Sequence, residues 1–116
     1  MEKNMTENNF WDHIKSLEGS DVLTLTDGQK NRIQSVEDTG SKTDQIFIDG
    51  RDSFPNRGDL WTAYQLLILQ KKLTRLPDLA WLSDKKVSSI SFAILATVPG
   101  VNLEGKGKAK PILRLA

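Results

Sequence analysis

Three lysines alternate with small residues near the end of the chain, in the stretch EGKGKAKP. Lys106, Lys108 and Lys110 lie there between two short apolar stretches, on a turn that contains glycine. Ammonium groups on such a turn neutralise phosphates and release condensed counterions, which gives salt-sensitive binding that does not depend on base sequence. The pattern predicts either a phosphate-binding finger or the solvated tip of a hairpin.

A second group suited to phosphate chemistry begins at the pair Lys85–Lys86, which precedes Ser88 and Ser89. The sequence predicts that these residues start a helix, where backbone N–H groups and small hydroxyl side chains can donate to phosphate. Lysine pairs such as this one and Lys71–Lys72 are also typical of solvated helix ends. Both interpretations stay open.

The charge of the chain is divided unevenly between its two halves. The whole chain has a net charge of +1, but residues 1–60 hold seven basic and twelve acidic residues, a net of −5. Residues 61–116 hold nine basic and three acidic residues, a net of +6. Such asymmetry indicates an anionic partner for the second half.

The chain offers little material for catalysis. It has no cysteine and only one histidine, His13, so thiol nucleophiles, Ser–His pairs and histidine-rich zinc sites are not expected. Pro77–Asp78 and Glu104–Gly105–Lys106 resemble the PD…ExK pattern of metal-dependent nucleases, but we expect Asp78 to open a helix and Glu104 to begin a turn. The sequence predicts no enzyme, no metal or cofactor and no small-molecule substrate.

Length and composition are those of a small globular protein. The chain has 116 residues, of which 38% are hydrophobic and 27% are charged, so we expect one domain over residues 1–116. Its apolar runs, such as Leu66–Leu69, are too short to span a bilayer. The polar first ten residues lack the apolar run of a signal peptide. We therefore expect a cytoplasmic protein with no membrane partner.

The first part of the domain, residues 6–54, is predicted to be a helix followed by a β-meander. Thr6 or Asn8 can cap a helix whose apolar residues Phe10, Ile14 and Leu17 fall on one face. Gly19 supplies its stop.

Three strands follow, in DVLTLT, QKNRIQSV and QIFID. Alternation predicts that Leu23 and Leu25 face inward in the first strand, and Ile46 and Ile48 in the third. Asp27–Gly28 predicts a hairpin between the first two strands.

The second part, residues 58–116, is predicted to be three helices followed by a hairpin. Asp59 is expected to cap the helix LWTAYQLLILQKKL, and a second helix in TRLPDLAWLSD has Pro77 in its first turn. Ser83 or Ser88 is expected to cap a third, KKVSSISFAILATV, which ends at Pro99–Gly100. Two short strands follow around the lysine-containing turn.

The order of these elements resembles the winged-helix (helix-turn-helix) DNA-binding fold. The fold class is thus predicted to be α+β, with a helix and small antiparallel meander before a winged-helix-like half. The resemblance implies that the third helix enters the major groove and the wing contacts the backbone or the minor groove. Carried over by position, the nucleic-acid-binding residues would be Lys85, Lys86, Ser88, Ser89, Lys106, Lys108 and Lys110.

The predicted third helix departs from that pattern because Ile90–Val98 is nearly all apolar. A recognition helix needs Arg, Asn or Gln side chains to reach base edges, whereas a helix that is apolar all round is usually buried. The sequence therefore predicts binding of double-stranded DNA through its backbone. Trp11, Trp61 and Trp81 could stack on bases, although tryptophans on helices of small domains more often belong to the core.

An alternative function is a protein-interaction or inhibitor module. Its surface would be an acidic face in residues 37–59 that mimics nucleic acid or docks on a basic protein. This face would comprise Glu37, Asp38, Asp44, Asp49, Asp52 and Asp59. A homodimer is the other form of this alternative, because LWTAYQLLIL carries more apolar surface than one helix face needs.

Overall fold

The computed structural model describes residues 5–24, 28–105 and 111–115. In these ranges the chain has an α+β fold, as predicted, with three α-helices and two three-stranded antiparallel sheets. The elements in chain order are α1 (Glu7–Lys15), β1 (Asp21–Leu23), β2 (Lys30–Val36), β3 (Ile46–Ile48), α2 (Arg57–Gln70), β4 (Lys72–Thr74), a 3₁₀ helix (Lys85–Val87), α3 (Ser88–Ala96), β5 (Val101–Glu104) and β6 (Ile112–Leu115).

Helix α1 begins as the sequence predicts. The Thr6 hydroxyl accepts a hydrogen bond of 3.1 Å from the backbone N–H of Asn9, which satisfies one of the donors left unpaired at a helix start. Phe10 and Ile14 are buried, and Trp11 joins them. α1 therefore covers the core with its apolar face.

The predicted meander forms the first sheet, in the order β1-β2-β3. Ile46 and Ile48 face the core as expected, but the inward face predicted for β1 is wrong. Val22 and Thr24 are buried and Leu23 is exposed. Thr24 can be buried because its hydroxyl accepts a hydrogen bond from the backbone N–H of Gln29 at the hairpin. Leu25 and the predicted turn residue Asp27 lie outside the described residues.

Helix α2 starts three residues earlier than predicted. Asn56, not Asp59, is its N-cap, and the Asn56 Oδ1 accepts a hydrogen bond of 2.8 Å from the backbone N–H of Asp59. The Asp59 carboxylate instead accepts from the Ser83 hydroxyl at 2.7 Å. The sequence does not predict Asn56 as the cap, because the Gly, Pro and polar residues of GRDSFPNRGD are typical of a loop.

The strand β4 was not predicted, since the helical pattern continues through Lys71 and Lys72 in the sequence. Lys71 ends α2 with a left-handed φ of 67°, which turns the chain away from the helix axis. Its carbonyl accepts a hydrogen bond of 3.1 Å from the backbone N–H of Leu115. Residues 72–74 then pair with β6 as a third strand beside the predicted β5–β6 hairpin, in the order β4-β6-β5.

The predicted second helix is instead a compact run of turns over residues 75–82. The Asp78 carboxylate accepts hydrogen bonds from the backbone N–H and the hydroxyl of Thr74, at 2.8 and 2.9 Å. These two hydrogen bonds hold residues 74–78 in a turn, so the predicted second helix does not form. Leu79 and Leu82 are nonetheless buried.

The predicted third helix is shorter than its apolar pattern indicates. A 3₁₀ turn precedes α3, and the N-cap is Val87, so neither Ser83 nor Ser88 caps it. Asp84 organises the 3₁₀ turn, because its carboxylate accepts the backbone N–H of Lys86 at 2.9 Å.

The buried hydrophobic side chains of both halves form one core. Helix α3 lies in the middle of it, in contact with β1 of the first sheet and β5 of the second. All side chains from Ile90 to Leu95 are buried. The helix that the resemblance would send into a DNA groove is thus a central core element.

The buried Arg57 joins α1, the β2–β3 loop and the start of α2. Its Nε lies 3.0 Å from Glu7 Oε2, and its guanidinium stacks over the Trp11 ring at 5.5 Å from the ring centroid. Asp38 and Asp44 carboxylate oxygens lie at 3.8 and 3.9 Å from Nη1. A buried arginine with these partners locks three elements together.

The buried Asp44 carboxylate gives the fold a dependence on pH. The Thr39 hydroxyl and the backbone N–H groups of Thr39 and Gly40 donate to it. These hydrogen bonds hold the pKa of Asp44 below its ordinary value of 3.8. A carboxyl with a lowered pKa in the folded state stabilises the fold above its unfolded pKa, and this stabilisation is lost as pH falls below 3.8 through the folded pKa.

We therefore expect Asp44→Asn to reduce stability at neutral pH and to flatten the loss of stability on acidification. Urea unfolding at neutral pH and in a series of acidic buffers measures both effects. Asp52→Asn, at an exposed position, is the matched control and should follow the wild type. Parallel stability profiles for Asp44→Asn and the wild type would contradict the assignment.

Candidate nucleic-acid interface

The outer face of the second sheet brings basic side chains together. In the antiparallel register Lys72 lies opposite Arg114, and Arg114 lies opposite Asn102. Directly opposed residues share a face, and all three are exposed, whereas their neighbours Leu73 and Leu113 are buried on the other face. The sheet therefore presents two adjacent cations to solvent.

Glu104 partly neutralises this pair. Its Oε1 lies 2.8 Å from Arg114 Nε, and both side chains are about half exposed. An ion pair so open to water is weak, so Arg114 can exchange Glu104 for a phosphate at small cost.

The three predicted wing residues Lys106, Lys108 and Lys110 lie outside the described residues. The strands that precede and follow them, β5 and β6, are paired from Val101↔Leu115 to Glu104↔Ile112. Glu104 and Ile112, the last residue of β5 and the first residue of β6, therefore lie opposite each other in the second sheet.

The predicted residues at the start of the third helix lie in different environments. Lys85 and Lys86 are both in the 3₁₀ turn, and the Lys86 side chain is exposed. Ser89 is half-buried. Ser88 is only 5% exposed, and its Oγ accepts a hydrogen bond of 3.2 Å from Arg75 Nη1. The Ser88 hydroxyl therefore serves to hold Arg75.

Arg75 is a cation that our sequence analysis did not single out. It lines a cavity of about 220 Å³ together with Leu76, Leu79, Ala80 and Ser88. Among the described residues, no carboxylate lies within ion-pair distance of its guanidinium. In the sequence, Arg75 is visible only as one of the basic residues that give residues 61–116 their net charge of +6.

The three tryptophans divide between core and surface. Trp11 is buried, and its indole N–H donates to the Glu37 carbonyl at 2.8 Å. Trp61 is half-buried beside Phe10. Trp81 is 42% exposed, so it is the tryptophan with the most ring surface open to a ligand.

The residues considered for catalysis are engaged in structural contacts. His13 Nε2 lies 3.0 Å from Thr97 Oγ1, and burial lowers the pKa of its imidazole. Asp78 follows β4 in the turn and bonds Thr74, whereas Glu104 ends β5. Within the described ranges, no group of three or more His, Cys, Asp or Glu side chains is arranged to hold a metal ion.

The residues of the proposed acidic face differ in exposure: Glu37, Asp38, Asp49 and Asp52 are exposed, Asp59 is half-buried and Asp44 is buried. Four of the six side chains make contacts within the fold. Asp44 is buried, Asp59 bonds Ser83, and Asp38 bonds Lys15 at 2.7 Å. The Glu37 carboxylate accepts the backbone N–H of Gln45 at 3.0 Å. Only Asp44 is withdrawn from solvent by its position in the fold.

Helix α2 exposes apolar surface at its outer side. An open groove of about 480 Å³ is lined by Met5, Trp61, Gln65, Ile68 and Leu69. Leu69 is 80% exposed. No helix in the described part of the chain has the length and apolar character needed to cross a membrane.

Comparisons with models of known protein families, with curated proteins and with solved structures find no match for this chain.

Proposed function

We propose that the chain is a non-enzymatic, cytoplasmic nucleic-acid-binding module that contacts the backbone of double-stranded DNA. The observation that carries the proposal is the pairing of β4 with β6, which sets Lys72 beside Arg114 on an exposed sheet face. This face belongs to the half of the chain that carries the net charge of +6.

Part of the predicted element order also supports the proposal. The winged-helix resemblance rests on three helices followed by a hairpin, and the chain has the first and third of these helices as α2 and α3, followed by β5 and β6. Turns over residues 75–82 take the place of the second helix, and β4 adds a strand. The contacts would come from Lys72, Arg114 and Lys86 together with the three lysines between β5 and β6. Because α3 is buried, the proposal assigns the affinity to phosphate contacts, which carry no base sequence directly.

The test is the salt dependence of DNA affinity in matched variants. Each phosphate contact contributes about −0.9 to the slope of log affinity against log salt. We expect the double variant Lys72→Ala with Arg114→Ala to make this slope about 2 units shallower, and the triple alanine variant of Lys106, Lys108 and Lys110 about 3 units shallower. Fluorescence anisotropy with a labelled duplex measures both.

The matched control is Lys30→Ala with Arg32→Ala, because these side chains are a lysine and an arginine on the exposed face of β2. This variant should keep the wild-type slope. Equal slopes for the control and for the Lys72 and Arg114 variant would refute the assignment of the interface to the second sheet.

The outer face of α2 favours a second candidate function, self-association. Gln65 lies one helical turn from Trp61 on one side and from Leu69 on the other, so an antiparallel second copy would set Leu69 of one chain against Trp61 of the other. Light scattering on the wild type and on Leu69→Ser decides this candidate. A wild-type dimer that Leu69→Ser converts to a monomer would support it, and a wild-type monomer would exclude it.

A further inference from the structure

The segment of turns after β4 exposes apolar side chains that a small protein normally covers. Leu76 is 54% exposed and Trp81 is 42% exposed. Large apolar side chains left open in this way often mark a binding surface. They lie five residues apart in the same short segment, in the half of the chain that carries the excess positive charge.

This exposure comes from a well-anchored segment and not from a loose loop. The Asp78 carboxylate holds both donors of Thr74, and the backbone N–H of Leu79 donates to the Arg75 carbonyl at 3.0 Å. Leu79 and Leu82 are buried on the inner side of the same segment. The segment therefore holds Trp81 outward on a fixed base, which lowers the entropy cost of binding a ligand there.

Two cations belong to the same stretch of chain: Arg75 precedes Leu76, and Lys86 follows Trp81 by five residues. Arg75 is fixed by its hydrogen bond to the buried Ser88 hydroxyl, and it lines the cavity together with Leu76 and Ala80. Lys86 is exposed one short turn before α3. In the described part of the chain neither side chain forms an ion pair.

Two carboxylates lie in the same stretch of chain, and each accepts hydrogen bonds from donors other than the Arg75 and Lys86 side chains. Asp78 is engaged by Thr74, and Asp84 accepts the backbone N–H of Lys86. The segment thus combines an exposed aromatic ring and an exposed aliphatic side chain with two cations that form no ion pair among the described residues. This combination matches a nucleotide, which joins an apolar base face to an anionic phosphate.

We infer that residues 75–86 bind an unpaired nucleotide, with its base stacked on Trp81 and its flanking phosphates held by Arg75 and Lys86. This inference rests on the proposed function and deepens it. A fully paired duplex hides its base faces inside the stack, so Trp81 can act only on a bulged or flipped base or on a single strand. The protein would then recognise a local distortion in DNA through this site and the backbone through the second sheet.

The experiment compares three labelled probes with the full chain: a paired duplex, the same duplex with one bulged nucleotide, and a single strand. Alanine substitution of a stacking aromatic weakens binding by about tenfold. We expect the wild type to prefer the bulged duplex over the paired one by about that factor. Trp81→Ala should remove the preference and leave the affinity for the paired duplex unchanged.

Two further variants make the result specific. Trp81→Phe keeps an aromatic face and should retain most of the preference, whereas Leu23→Ala removes an apolar side chain of β1 that is about as exposed as Trp81 and should have no effect. Tryptophan fluorescence gives an independent signal, since Trp81 is the most exposed of the three indoles. Quenching by the bulged duplex should be strong in the wild type and much reduced in Trp81→Phe.

The outcomes separate this inference from the proposed function. Binding to the paired duplex without any preference for the bulged one, unchanged in Trp81→Ala, would overturn the inference while the proposed function stands. Such a result would favour a protein partner for this surface. No binding to any probe at low salt would overturn both.

Discussion

Arg57→Leu is expected to lower the free energy of unfolding by about 3 kcal/mol, because removal of one partner from a buried ionic cluster leaves the others uncompensated. Arg57 is only 6% exposed. Its Nε bonds Glu7 and its Nη2 bonds the Asn8 side chain at 3.3 Å. The substitution also removes the cation–π contact with Trp11 and a cation close to the buried Asp44.

The control for this prediction is Arg32→Leu. Arg32 lies on the exposed face of β2, and its Nε is 3.7 Å from Asp21 Oδ1. Exposed pairs of this kind contribute between about 0 and 1 kcal/mol. Urea unfolding followed by circular dichroism measures both variants. If Arg57→Leu costs no more than Arg32→Leu, Arg57 does not join the three elements as we describe.

Phe10→Ala is expected to lower the free energy of unfolding by about 4 kcal/mol, the range found when a buried phenylalanine is truncated and a cavity remains. Phe10 is fully buried. Its ring stacks on Tyr64 with centroids 5.0 Å apart and is tilted against Trp61 at 5.5 Å. These contacts fasten α1 to α2, so the substitution loosens the junction between the two halves of the domain.

The matched comparison for this second prediction is Phe47→Ala. Phe47 is half-buried and meets Phe54 edge to face at 5.0 Å, but it lies at the rim of the first sheet. It should cost about half as much as Phe10→Ala, since less of its surface is buried. Thermal and urea unfolding of both variants give the comparison. Equal losses would show that Phe10 does not have the central position that its burial indicates.

The sequence predicts the elements whose signals are local. The Thr6 cap, the helix after it and the alternation of Ile46 and Ile48 all depend on neighbouring residues. β4 was missed because its strand character depends on pairing with Arg114 and its neighbours in β6, far along the chain. The turns at 75–82 were read as helix because their apolar spacing is helical, whereas the Asp78–Thr74 contacts that decide the conformation leave no periodic signal.

The candidate interface shows the same division. The excess positive charge of the second half can be counted from the sequence, but its distribution over the surface cannot. Lys72 and Arg114 are neighbours because of the strand register between β4 and β6. Trp81 is exposed because Leu79 and Leu82, not Trp81, face the core from the turns at 75–82. Ser88 was predicted as a phosphate donor, and it is buried against Arg75 because α3 lies in the core.

The affinity of the wild-type protein for a paired DNA duplex across a salt series tests most directly whether the chain binds the DNA backbone through its basic side chains. With six cations contributing, namely Lys72, Arg114, Lys86 and the three lysines between β5 and β6, the log–log slope should be about −5.4, with measurable binding at about 50 mM salt that weakens steeply by about 200 mM. No binding at the lowest salt, or an affinity that does not change with salt, would contradict the account.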